Sequence, residues 1–306
     1  MNDVTLSHRH AMEAVDRSLQ DIRSSEQAFG GITVVLGGDF QQTLPVMVKA
    51  TWEETVQATV QWSHIWRDVS VLHLTQNMRL NRNDQQTQFA QWLLGLGHGD
   101  TVDANTASGS ITLPPNIVCT DQADLIHFLY GMTPHESPPL PQYFYDRVLL
   151  APLNDDVCKL NLHILHLFPR MVCTYISADT QVIEVGMQHF PNMVPVEFLN
   201  SLNASGLPLA KLKLKPGSPI ILLQNLDHKL GLCNGTRATV VRMSNRVLQV
   251  CLLDSDHDGD VAFIPRITLS PSVRGADFMI HLKRQQFSVQ LAFAMTINHS
   301  QGQSVA

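Results

Sequence analysis

The sequence has no paired cysteines, no excess of basic residues and no long apolar run, and each shortage excludes something. Five cysteines (Cys119, Cys158, Cys173, Cys233 and Cys251) are spread over 306 residues without a C-x-x-C pair. That spacing argues against zinc and against a disulfide framework, and it fits a reducing compartment. No apolar run is long enough for a membrane span, and the opening MNDVTLSHRH has no signal-peptide core. An intracellular, soluble protein with no membrane partner is therefore expected. Lys and Arg number 21 against 27 Asp and Glu, a net charge of −6. A basic surface, the usual footprint of nucleic-acid binding, is missing from the chain as a whole, which leaves local patches for phosphate contact. Apolar residues make up 44% and charged residues 16%, ordinary for a chain that buries cores, and the length suggests about two domains.

What is present centres on residues 32–46, ITVVLGGDFQQTLPV. The apolar run Ile32–Leu36, bounded by glycines, reads as a buried strand of a parallel sheet. It ends in Gly37-Gly38-Asp39, which sets a carboxylate at the strand's carboxyl edge, where open α/β sheets bind ligands. Gln42 follows three residues on. Asp39 and Gln42 are thus candidates for a ligand-binding edge. The alternative is an Asp39 satisfied by neighbouring backbone N–H groups with Gln42 on the surface. The Gly-Gly-Asp start also occurs in nucleotide cyclases and metallophosphatases. Phe40 stands where the first needs Glu, and the ligands of the second do not follow.

Taken in order, residues 7–23 read as an amphipathic helix capped by Ser7, with Ala11, Val15, Leu19 and Ile22 on its apolar face. Residues 51–66 look helical with a turn near Trp62, and their tryptophans read as core anchors rather than a stacking platform. Val69–Leu74 is a second strand candidate delivering Arg79, either a phosphate clamp or half of a surface ion pair. Gln85–Leu96 is a helix, and 97–115 is a Gly/Ser/Pro-rich connector. A helix at Asp121–Tyr130, a proline-rich loop at 133–141, a strand at 147–151 and a helix from Asn154 to Leu167 follow. Short β-like runs then recur at 172–176, 181–185, 220–223, 238–242, 247–253 and 261–264, a pattern expected of a small antiparallel barrel or sandwich. The stretch Asp254–Asp260 imitates half an EF-hand loop, but Pro265 stands at the twelfth position, so a solvated turn is expected.

GGDFQQTLPV, LTQNMRL, LKPGSPIILLQNLDHKLGLCNGTRATVV and QFSVQLAFAMTINHSQGQS resemble, in that order, the motifs of PIF-type superfamily one DNA helicases, with greatest likeness to the Helitron-associated branch. The resemblance implies an α/β fold of partial tandem RecA-like (P-loop NTPase) domains with an inserted SH3-like β module. The domains expected are 1–100 (latter part of the first RecA-like domain), 101–145 (connector), 146–180 plus 285–306 (partial second RecA-like domain) and 181–284 (insert). It also implies ATP and Mg²⁺ as cofactors, single-stranded DNA as partner, nuclear localisation, and roles in repair, recombination and telomere maintenance. By resemblance, Gln42 senses the γ-phosphate, Asp39 shapes its loop and Arg79 contacts the γ-phosphate as charge develops. Gln301 and Gly302 belong to the loop that links the ATP cleft to the DNA track. Thr296, His299 and Ser300 are candidates for DNA backbone contact. Asn234, Gly235 and Thr236 match the insert's LCNGTR signature and are expected to form a structural turn.

The departures bear on activity. No G-x-x-x-x-G-K-[ST] occurs, and the resemblance places Asn2 and Asp3 where an Asp-Glu pair would hold Mg²⁺ and polarise water. His299 replaces a lysine, and the last helicase motif is not matched. The chain is therefore expected to be an incomplete helicase that does not hydrolyse ATP by itself. The alternative is a non-enzymatic single-stranded nucleic-acid-binding remnant.

Overall fold

A computed structural model describes residues 4–47, 50–75, 78, 84–100, 110–131, 139–182, 194–202, 206–253, 257–270 and 281–301. The chain forms two compact units, Met1–Val118 and Cys119–Ala306.

The first unit contains α1 (Arg9–Arg23), α2 (Trp52–Gln57) and α3 (Asp84–His98). The cap of α1 is His8 rather than Ser7: its ring Nδ1 accepts the His10 N–H at 3.1 Å. Its buried face also differs from the apolar stripe. Val15 and Ile22 are exposed, whereas Asp16 is 2% exposed. The reason lies in residues 28–31, which fold back over α1, bury Phe29 and present a backbone donor and a backbone acceptor to its polar side chains. Asp16 Oδ1 accepts the Phe29 N–H at 2.5 Å, and Arg23 Nε donates to Gly30 O at 2.7 Å. Gly30 sits at φ +62°, so close to α1 that a Cβ would lie 2.5 Å from Leu19 O.

The expected strands Ile32–Leu36 and Val69–Leu74 do not form. Both segments take no part in a ladder among the described residues, and Val35 and Leu72 are 81% and 89% exposed. An apolar run becomes a strand only when a neighbour pairs its N–H and C=O groups, and no described segment does so here. Residues 51–66 are helical only over α2, where Thr51 and Glu54 form a capping box, followed by two 3₁₀ turns. Their tryptophans are not core anchors throughout: Trp52 and Trp62 are exposed, and Trp66 packs edge-on against Phe40.

The second unit begins with α4 (Gln122–Tyr130), capped by Asp121, whose Oδ1 accepts the Ala123 N–H at 2.7 Å. There follow β1 (Leu149–Ala151), α5 (Asn154–Leu167), β2 (Cys173–Ile176), β3 (Ala178–Val182), α6 (Val196–Ser201), β4 (Lys211–Leu214), β5 (Pro219–Leu222), β6 (Arg237–Met243), β7 (Val247–Leu252), β8 (Val261–Leu269), β9 (His281–Phe287), β10 (Val289–Leu291), β11 (Ala294–Thr296) and α7 (Ile297–Ser300). Seven strands pair antiparallel in the order β10-β5-β6-β7-β8-β9-β3, β2 pairs with β4, and β1 runs parallel to β11. The fold is thus mixed α/β with a multi-strand antiparallel sheet. Tyr130 and Phe144, from the stretch expected to be connector, are buried in the core of this unit with Phe168 and Phe293. Burying each such ring contributes about 1.5–3 kcal/mol.

Two buried guanidinium groups tie separate segments together. Arg284 on β9 binds Asp179 on β3 at 2.7 Å and also donates to Pro208 O and Leu199 O. Arg237 at the start of β6 donates to Phe144 O, Tyr145 O and Arg147 O at 2.6–3.0 Å.

Candidate functional site

The chain after Gly38 closes a tight turn around one carboxylate. Asp39 Oδ1 accepts the Gln41 N–H at 3.0 Å, Oδ2 accepts Gln42 Nε2 at 3.2 Å, and Gln42 N–H donates to Asp39 O at 3.1 Å. Asp39 therefore fixes the backbone of the turn and holds the Gln42 amide beside its own carboxylate. The turn borders a cleft of about 560 Å³, which Phe40, Trp52, Leu93 and Leu96 also line. Gln41 ties the turn to α3, its amide nitrogen 3.3 Å from His98 Nδ1.

In the second unit, β11 leads into α7. Thr296 caps α7: its hydroxyl accepts the His299 N–H at 3.3 Å and lies 2.8 Å from His299 Nδ1. Ser300 Oγ donates to Ile297 O at 2.7 Å. The hydroxyls of Thr296 and Ser300 are thus engaged within α7, and Thr296 is 8% exposed. Gln301 follows α7 and is half-buried.

Two residues that sequence reasoning passed over hold this segment. Asn161 on α5 donates to Leu291 O and Ala294 O, and accepts the Ala294 N–H. Tyr130 donates to Phe293 O at 2.5 Å, and burial pushes its phenol far above the ordinary range. The available signal was a polar residue within the apolar stripe of a helix, which buried positions tolerate only with partners.

The LCNGTR turn is structural. Thr236 Oγ1 donates to Gly231 O and accepts the Cys233 N–H, while Asn234 N–H donates to Asn225 Oδ1.

Asn2, Asp3, Arg79 and Gly302 lie outside the described residues, as do residues 254–256 of the acidic loop. Among the described residues, no group of three His, Cys, Asp or Glu side chains is placed to hold a metal ion. The lining of the Asp39–Gln42 cleft carries a carboxylate and neither lysine nor arginine. By itself that lining does not fit a triphosphate, whose charge demands cations or a nest of N–H groups. No helix among the described residues is long and apolar enough to cross a membrane.

Residues 1–107 match the family model described as PIF1-like helicase, and residues 197–243 match that of the DNA helicase Pif1 2B domain. The chain belongs to the PIF1-like helicase family. Along 96% of its length it is 27% identical to the ATP-dependent DNA helicase PIF1 of Xenopus laevis and 25% identical to that of Homo sapiens. It spans 38% of the length of each. The fold of the PIF1 family is shared as well. A Bacteroides Pif1 bound to single-stranded DNA superposes with a TM-score of 0.62 at 18% identity, covering 99% of this chain and 61% of that one. Candida albicans Pif1 superposes with a TM-score of 0.59 at 19% identity, over 99% and 64%.

Proposed function

We propose that these 306 residues supply part of the core of a PIF-type DNA helicase: the turn that senses bound nucleotide and the second-unit surface that follows a single DNA strand. The observation that carries this reading is the Asp39–Gln42 turn. A carboxylate accepts a backbone N–H and the glutamine amide inside the stretch matched by the PIF1-like model. In this reading Gln42 and Arg79 face the γ-phosphate, with Gln301 and Gly302 coupling that site to the strand. His299 and the α7 backbone touch the strand, with Thr296 and Ser300 shaping them. Mg²⁺ at Asn2 and Asp3 is the weakest part of the resemblance, because an amide is a poorer ligand than a carboxylate. Nuclear work in repair, recombination or telomere maintenance follows from the same family reading.

The chain contains no phosphate-cradling G-x-x-x-x-G-K-[ST] sequence. Phosphoryl transfer depends on positioning and charge neutralisation by that cradle. We therefore infer that the 306 residues alone bind single-stranded DNA without turning over ATP. The test is DNA-stimulated ATP hydrolysis by the purified chain beside Arg79→Ala, with filter retention of a labelled oligonucleotide. Retention without turnover is expected. Turnover lost in Arg79→Ala would overturn the inactive assignment, and absence of salt-sensitive retention would overturn the DNA contact.

A further inference from the structure

A second cleft, of about 490 Å³, opens on the β module and is lined by Asn245, Arg246, Arg266 and Gln285. Its chemistry is the reverse of the Asp39 cleft: two arginines, two amides and no carboxylate. In a chain of net charge −6 such a pair stands out. Among the described residues neither arginine is paired with an acid.

One wall of the cleft is built from hydrogen-bonded, ring-packed side chains. Arg266 lies on β8 with its guanidinium carbon 5.5 Å from the Phe287 ring centroid and 6.0 Å from that of Tyr175. Its Nη2 donates to Ile176 O and to Gln286 Oε1. Gln286 is fixed in turn by donating to Tyr175 O at 3.1 Å and accepting the Phe287 N–H. These bonds take both hydrogens of Nη2. Nε is buried without an acceptor among the described residues, and Nη1 has none either. Arg246, exposed in the β6–β7 turn, is tied to the same place because its carbonyl accepts the Arg266 N–H at 3.0 Å. Lys211 adds a third cation nearby: it is the register partner of Ile176, whose carbonyl Arg266 bonds.

A planar guanidinium held against two rings loses little freedom when its remaining N–H donors bind an oxyanion. The cleft is far larger than one phosphate ion, and Asn245 and Gln285 supply neutral donors and acceptors beside the charges. We propose that this cleft is a phosphodiester-binding site that takes one nucleotide of a single nucleic-acid strand, with Arg246 and Arg266 on the phosphate and the two amides on the sugar or base. The proposal rests on the reading of the chain as a DNA-contacting part of a helicase.

The test is fluorescence anisotropy of a labelled oligo-dT titrated with the whole 306-residue chain across a salt series. Arg246→Ala is the informative variant, since the side chain is exposed and its backbone bond to Arg266 survives the change. Loss of one phosphate contact on a single strand should lower the log–log salt slope by about 0.7 and weaken binding roughly three- to tenfold at low salt. Arg246→Lys should restore the slope. Arg242→Ala, an exposed arginine on β6 outside the cleft, should leave it unchanged. Inorganic phosphate at constant ionic strength should displace the strand poorly, and displacement by micromolar phosphate would assign the cleft to the free ion and overturn the strand proposal. Binding with an unchanged slope in Arg246→Ala would overturn the site alone and leave the DNA contact standing elsewhere. Absence of binding by the unaltered chain would overturn both.

Discussion

Asn161 pairs with both backbone groups of Ala294: Nδ2 donates to the carbonyl at 2.9 Å, and Oδ1 accepts the N–H at 2.8 Å. The same Nδ2 reaches Leu291 O at 3.1 Å, so one buried amide sets the position of β11 against α5. Asn161→Leu, which nearly conserves volume, would leave these groups unpaired in the core. A loss of about 3 kcal/mol is expected in urea unfolding. A loss below about 1 kcal/mol would show that water replaces the amide.

The Arg284–Asp179 pair is enclosed, its side chains 1% and 0% exposed. Asp179→Ala should cost about 3–5 kcal/mol because it strands a buried guanidinium. The double change Asp179→Leu with Arg284→Met should cost clearly less than either single change, since no charge remains uncompensated. Equal losses in thermal melts of the single and double variants would count against this account.

His8 caps α1 through a ring nitrogen, which requires the neutral ring. Burial, and then the nearby charges of His10 and Arg9, lower its pKa from 6.5. The native state therefore binds fewer protons than the unfolded chain below that value. Stability is expected to fall as pH drops from 6.5 towards the lowered pKa, and to be insensitive to this group above 6.5. NMR titration should place the His8 midpoint below 6.5, with the His10 amide exchanging faster as the ring protonates. His8→Asn, a cap that does not titrate, should abolish that acceleration.

Gly30 and Gly31 both have positive φ, yet they differ in what a methyl would meet. At Gly30 it would strike the Leu19 carbonyl at 2.5 Å, whereas at Gly31 it would meet the end of the Gln27 side chain at 2.7 Å. Backbone cannot swing aside as a glutamine can. Gly31→Ala should lose about 1 kcal/mol from the φ strain alone, and Gly30→Ala clearly more. Indistinguishable melting temperatures would contradict the packing of residues 28–31 on α1.

Helices were the legible part of the sequence. Expected Asn154–Leu167 coincides with α5, and expected Gln85–Leu96 falls inside α3, because apolar spacing and caps are local signals. The short β runs were legible through their turns. The strands β4 and β9 were missed: β9 reads HLKRQQF, and its buried Arg284 and Gln286 are explained by partners far away in sequence. Ile32–Leu36 was misjudged for a related reason. Its residues carry the signature of a buried strand, while pairing depends on neighbours that a local window does not contain. At the candidate site, Asp39 and Gln42 were legible from spacing as a turn in which Asp39 accepts a backbone N–H and Gln42 lies on the surface, which the structure shows. Arg246 and Arg266 were not, since only the β7–β8 register and the Arg266–Arg246 backbone bond bring them together. Asn161 and Tyr130 were hidden in helix stripes where a polar letter looks like noise.

The pairing of β1 with β11 joins Leu149 to Ala294 and Ala151 to Thr296, while β3 waits for β9 and β5 for β10. During synthesis from the N-terminus, the second unit therefore emerges from the ribosome with β1 and β3 lacking a neighbour and β5 paired on one side alone, with β6. Nearly all of that unit must be made before its core can close. Contacts so distant along the chain are slow to form, and the nascent intermediate exposes apolar strands meanwhile. Chaperone dependence and translation speed, rather than the stability of the finished fold, are then expected to govern how much of this protein a cell accumulates.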